Sequence, residues 1–202
     1  MSENRKGFIE QIKGVITKPQ EAFNFIMGED LWRGLIIITL IAGFSAWAGM
    51  IYTSKLSLNV QISQGGVNIV VLSALSSVIT TLTGWLLIHA IAKLTGENGS
   101  LKRMFALSGF ASIPLLAQQI LRLVDAYTIT PTALANYQIA NSQVTGLIMK
   151  IFLYTNLFTI FGLLTLALTT FAVSANYEVS HKKSLIIAVS VYLVLIILQF
   201  FM

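Results

Sequence analysis

Residues Gly34–Ser54 read GLIIITLIAGFSAWAGMIYTS, an uncharged run of 21 residues. An α-helix rises about 1.5 Å per residue, so roughly 20 apolar residues cross a hydrocarbon core about 30 Å thick. In lipid the backbone must find its hydrogen bonds within its own segment, and a helix does this. Four more such runs lie downstream: Val67–Ala92, Met104–Leu121, Ile151–Tyr177 and Ser184–Met202. The third contains Pro114, Gln118 and Gln119 and is the least apolar. The uncharged stretch Ala126–Met149 is rich in Thr, Asn, Gln and Pro and is not read as a span, because its polar groups would lack partners in lipid.

Composition agrees. Of 202 residues, 55% are hydrophobic and 10% charged, against about 25% charged in a soluble domain. The expected fold class is an all-α integral membrane protein, with five transmembrane helices and an N-terminal amphipathic interfacial helix. Residues 1–30 form the cytoplasmic amphipathic segment and 31–202 the five-helix membrane domain. There is no Cys, so disulfides, thiolate metal sites and thiol nucleophiles are excluded. The net charge of +5 sits mostly at the ends of apolar runs, where anionic headgroups attract it; it does not point to nucleic acid. Residues 1–30 are polar and charged on both sides of short apolar patches. They are unlike a cleavable leader, and the first spanning helix is expected to act as its own insertion signal.

Charge sets the expected orientation. Arg5, Lys6, Lys13, Lys18, Arg33, Lys93, Lys102, Arg103, Lys182 and Lys183 fall on one side, and Lys55, Arg122 and Lys150 on the other. Ten against three places the N-terminus in the cytoplasm and, after five crossings, the C-terminus outside. A four-span alternative with a re-entrant third run would move Lys182 and Lys183 to the poorer side.

Before the first span, Phe8, Ile9, Ile12, Val15 and Ile16 recur at helical spacing opposite Glu10 and Lys13. In Thr17-Lys18-Pro19-Gln20, Thr17 reads as a cap and Pro19 as a first-turn residue, a helix restart. Phe23, Phe25, Ile26 and Met27 would then dip into the interface. Two readings stay open: a helix that senses or bends the bilayer, or a packed lid on the bundle. Residues 55–63 alternate apolar and polar, a strand signal, or else an ordered loop resting on the bilayer. Thr130-Pro131 reads as a helix start in the second outer loop. Thr95–Ser100 is a turn short enough to force its flanking helices antiparallel.

Catalysis or ion coupling in lipid needs ionisable groups at depth, and none lies near a midplane. His89 is close to Lys93 at the inner interface, and His181 is in a loop. They do not form a metal site, and no hydrolase, zinc-protease or phosphate-loop motif is present. No cofactor is expected. Ser76, Thr80 and Gly84 form a small-xxx-small ladder beside Ser73, Ser77 and Thr81, and Ser45/Gly49 and Ser108/Ser112 repeat the spacing. Such ladders let helices approach closely in lipid. The competing reading is a polar solute path, to which Gln118, Gln119, Asn156 and Thr159 would contribute. Arg122 has Asp125 three residues ahead and Gln118 four behind, one helical face. Arg122 is expected to snorkel outward and anchor the end of the third span on Asp125 or outer-loop carbonyls.

Residues Gly99–Leu116 read GSLKRMFALSGFASIPLL. This resembles the signature region of the Yip family, five-span membrane proteins that interact with Ypt/Rab GTPases, which carries a Gly-aromatic pair before a Pro in its third helix. The matching residues are Gly109, Phe110 and Pro114. Asp30-Leu31-Trp32-Arg33-Gly34 is similar to the family's Asp-Leu-Tyr-Gly-Pro signature in its first three positions, with Trp32 for Tyr and Arg33-Gly34 for Gly-Pro. Lys18-Pro19 with Phe23 resembles the surface helix of the shorter, prokaryotic-type members. The resemblance implies a non-enzymatic adaptor that pairs with itself or related membrane proteins. In eukaryotic relatives it implies small GTPases as partners and an endoplasmic reticulum or Golgi location. The long cytoplasmic N-terminal domain of many such relatives is lacking, which favours a short prokaryotic-type protein of the cell membrane. The rival expectation is a transporter or channel for a small solute or lipid.

Overall fold

The computed structural model describes residues 7–56, 65–134 and 159–201, without the side chains of 56, 65–70, 73, 76, 77 and 195–201. Its helices are α1 (Phe8–Thr17), α2 (Pro19–Phe25), a 3-10 turn (Gly28–Asp30), α3 (Leu31–Leu56), α4 (Gly65–Leu94), α5 (Leu101–Ala111), α6 (Ile113–Thr128), α7 (Ile160–Tyr177) and α8 (His181–Phe201). No strand occurs among the described residues. Three helical stretches there are long and apolar enough to cross a membrane: Gly28–Lys55, Leu101–Thr128 and Ile160–Tyr177; Val78–Leu94 is a shorter apolar one.

The third apolar run, the one interrupted by Pro114, Gln118 and Gln119, lies at the centre. Its apolar window is 56% buried by protein, against 28% for the first span. Every residue from Ala106 to Ser112 is buried. Its polar groups face neighbouring helices, so it needs less hydropathy than a lipid-facing span. α3 packs on α4, α5 and α6, while α7 packs on α2, α5, α6 and α8, and α8 returns to α4. The run is two helices joined at Ser112, which has φ −87° and ψ 3°. Pro114 lies in the first turn of α6, where its missing N–H would be unpaired anyway.

The N-terminal segment adopts the lid arrangement. Val15, Phe23 and Ile26 are fully buried in the same core as Ile37, Met104, Phe110 and Val173. Phe23 and Ile26 therefore pack on protein rather than lipid, whereas Phe25 and Met27 are exposed. Thr17 does not cap α2. Its hydroxyl donates back to the Lys13 carbonyl at 2.9 Å, and Lys18 takes the N-cap position. Lys55 and Leu56, which open the alternating stretch, complete α3; residues 57–64 lie outside the described ones. Residues 131–134 are helical, with Thr130 Oγ1 accepting from the Ala133 amide at 3.2 Å. α4 meets α5 through a turn in which Gly96 has φ +84°, a left-handed conformation that glycine adopts without strain.

Candidate functional site at the base of the bundle

The two signature segments meet at the end of the bundle that carries α1 and α2. A β-carbon on Gly109 would overlap the backbone of Gly34, and one on Gly34 would overlap the Ala106 carbonyl. Helices α3 and α5 thus cross at backbone contact, which residues without side chains permit. Just before the crossing, Asp30 organises the chain entry. Its carboxylate accepts from the Met27 amide at 3.1 Å and from Arg33 at 2.9 Å. Arg33 also donates to Gln11 Oε1 at 2.9 Å, tying α3 to α1. Leu31 is half-buried. Trp32 is 74% exposed; at a span boundary an amphipathic ring suits the bilayer interface.

Arg103, at the start of α5, fastens α2. Its Nε donates to the Ile26 carbonyl at 3.0 Å, and Nη2 donates to the carbonyls of Phe23 and Asn24, each at 3.2 Å. These carbonyls end α2, where the helix dipole favours a cation. Phe8 meets Phe110 edge to face, ring centroids 6.0 Å apart. With the lid held this way, Ile9, Ile16, Phe25, Met27 and Trp32 are left exposed, while Lys13 faces outward. Between α2, α5 and α7 lies a pocket of about 470 Å³, to which Arg103, Asn24, Gln20, Phe171, Ser174 and Glu178 contribute.

The end of α7 closes the same base through contacts that no sequence motif announced. His89 Nδ1 lies 2.6 Å from the Tyr177 hydroxyl. Asn176 donates to the Ser100 carbonyl at 3.2 Å. Gly99 leaves room for the Tyr177 ring, and Lys183 pairs with Glu97. His89 is thus a cross-link between α4 and α7.

At the opposite end the expected cluster of Gln118, Arg122, Asp125 and Asn156 comes together only in part. Tyr52 Oη donates to Asp125 at 2.6 Å and to the Arg122 carbonyl at 3.2 Å. Lys55 donates to the carbonyls of Tyr127 and Ile129 at 2.9 and 2.6 Å. The end of the third span is therefore held by Tyr52 and Lys55 of α3, while the Arg122 side chain is exposed. Gln118 is buried one turn away, and Asn156 lies outside the described residues.

Midway along the bundle, Thr80 and Gly84 of the ladder line a cavity of about 180 Å³ with Ser112, Thr165 and Thr169; the Ser76 side chain is outside the described set. Several hydroxyls nearby turn onto their own helix. Ser112 Oγ donates to the Ser108 carbonyl at 2.9 Å, Thr165 to Phe161 at 2.8 Å and Thr170 to Leu166 at 2.9 Å. Among the described residues no group of three or more His, Cys, Asp or Glu could hold a metal ion.

A family model described as Yip1 domain matches residues 13–202 of the chain. No curated protein and no solved structure matches it.

Proposed function

The chain belongs to the Yip1 domain family, and from this membership and the geometry of the base we propose that it is a non-catalytic membrane scaffold. In this reading it crosses the bilayer five times, with the N-terminus in the cytoplasm and the C-terminus outside. It organises or shapes the bilayer and pairs with itself or related membrane proteins. Its eukaryotic relatives would add small GTPases as partners. One observation carries the reading: α1 and α2 are fastened to the core by Arg103, Arg33 and Phe8, yet present Ile9, Ile16, Phe25 and Met27 outward. A rigid apolar collar at the level of the span ends inserts into one leaflet. It converts protein position into local bilayer area.

The rival reading, a transporter or channel, is favoured by the hydroxyl-bearing cavity between α4, α7 and α8. Proteoliposomes separate the two. A scaffold concentrates in the more curved vesicles of a mixed-size population and accelerates no flux of ions, sugars, amino acids or lipids. Saturable flux abolished by changes at Gln118 or Asn156, with no curvature preference, would replace the scaffold by the transporter.

A further inference from the structure

The pocket at the base differs from the cavity higher up in carrying one charge of each sign, Arg103 and Glu178. The Arg103 guanidinium is oriented by its bonds to the three carbonyls at the end of α2. Those partners are neutral dipoles, the Glu178 carboxylate acts on the charge from within the same pocket, and Nη1 takes no part in those three bonds. Glu178 follows the last turn of α7 in the left-handed conformation, φ 54°, and is exposed. Asn24 and Gln20 add neutral polar groups, and Phe171 and Val179 an apolar wall.

The position of the two charges along the chain sets their depth. Arg103 is in the first turn of the span Leu101–Thr128, and Glu178 directly follows the span Ile160–Tyr177. Both therefore lie at the level where hydrocarbon gives way to headgroups. A volume of about 470 Å³ falls within the about 300–1,000 Å³ usual for small-molecule sites.

We propose that this pocket binds a phospholipid headgroup bearing both a phosphate and a primary ammonium, a phosphoethanolamine group, with its phosphate on Arg103 and its ammonium on Glu178. Guanidinium and phosphate match in charge and donor geometry. A carboxylate needs N–H donors, which a primary ammonium has and a quaternary choline lacks. Choline sites are instead built from several aromatic faces, and among the described residues Phe171 is the one aromatic ring lining this pocket. A purely anionic headgroup would meet the Glu178 carboxylate at close range. Exposed Phe25 and Met27 at the adjoining end of α2 offer the acyl chains an apolar path back to the bilayer. The assignment rests on the membrane-spanning character of the chain and is independent of the scaffold role.

The test uses the full chain in nanodiscs holding equal mole fractions of phosphatidylethanolamine, phosphatidylcholine and phosphatidylglycerol. After gentle extraction, the lipids retained are counted by native mass spectrometry. Wild type retains phosphatidylethanolamine above the other two, and Glu178→Gln loses that preference by about fivefold, the effect of one charge-assisted hydrogen bond at an exposed carboxylate. Asn24→Asp, which sets an anion in the pocket, lowers retention of all three; thermal midpoints confirm that both variants fold. Free phosphoethanolamine at millimolar concentration leaves the lipid in place. Preferential retention of phosphatidylglycerol, equal retention of phosphatidylcholine, an unchanged Glu178→Gln profile, or displacement by free phosphoethanolamine as potent as the lipid itself would each overturn the assignment. Curvature sorting and flux are read in separate assays, so failure here leaves the scaffold reading distinguishable.

Discussion

Gly34 of α3 and Gly109 of α5 touch backbone to backbone, and neither has room for a β-carbon. Asp30 lies one turn before the first glycine and its partner Arg33 directly before it, and Phe110 directly follows the second, buried against Phe8. The two short signature segments are therefore the two sides of one helix crossing.

That crossing makes the first prediction. Gly109→Ala forces α3 and α5 apart and lowers stability by at least ~2 kcal/mol, in the upper range for overpacking a tight core. Gly43→Ala, on α3, is the control, because a β-carbon at Gly43 meets nothing within 4 Å. Thermal unfolding in detergent should show a lower midpoint for the first variant and an unchanged or slightly higher one for the second, since Ala favours helix over Gly. Equal midpoints for both variants would rule out the glycine seam.

Arg103→Lys should release the lid. A lysine ammonium cannot reproduce the planar fork that reaches three carbonyls at once. Two or three charge-assisted bonds to backbone, part-exposed, are together worth about 2 kcal/mol. Hydrogen exchange at residues 8–27 should quicken about tenfold or more, while α3 and α7 keep their protection. Uniform loss of protection across the whole bundle would mean that Arg103 holds the core and not the lid.

At the other end, Tyr52 and Asp125 should be energetically coupled. Their 2.6 Å bond is a hydroxyl donating to a carboxylate, exposed enough that its net value is about 0.5–1 kcal/mol. A double-mutant cycle of Tyr52→Phe and Asp125→Ala should show that coupling, whereas Arg122→Gln with Asp125→Ala should be additive. The reverse pattern would restore Arg122 as the anchor of the span.

Topology can be read by labelling, because the chain has no Cys to interfere. Ser57→Cys and Asn136→Cys should react with an impermeant reagent added outside intact cells, and Ser100→Cys and Ser180→Cys only after lysis. Asn176 near the end of α7 bonds the Ser100 carbonyl, so positions 100 and 180 belong to one end of the bundle. Outside labelling at Ser180→Cys would be incompatible with five crossings.

The sequence announced helices, their approximate ends and the family, but not which partners from other helices hold each end. Pro114 and the buried glutamines made the third run look marginal, whereas it is the central span. Hydropathy measures preference for lipid, and a span surrounded by protein is not selected for that preference. Arg122 drew attention as the first charge beyond its run, sharing a helical face with Asp125 and Gln118, yet Lys55 holds the end of α6. Helical spacing links Arg122 to Asp125, whereas Lys55 reaches the end of α6 only because α3 packs beside it. His89 looked isolated because its partner Tyr177 lies on another helix. Phe23 and Ile26 read as interfacial, since apolar side chains look alike whether lipid or protein covers them.

By itself, then, the sequence determined that most of this chain is helical and belongs in a membrane, because that follows from the transfer preference and backbone hydrogen bonding of each segment taken alone. It also carried the glycines and aromatics that mark the family. Only the tertiary structure decided that Gly34 faces Gly109, that Arg103 closes α2, and that Arg103 and Glu178 share one pocket. Each of these joins residues from different helices, and side-chain packing between helices, unlike the hydropathy of one, depends on which neighbours the whole bundle brings within contact distance.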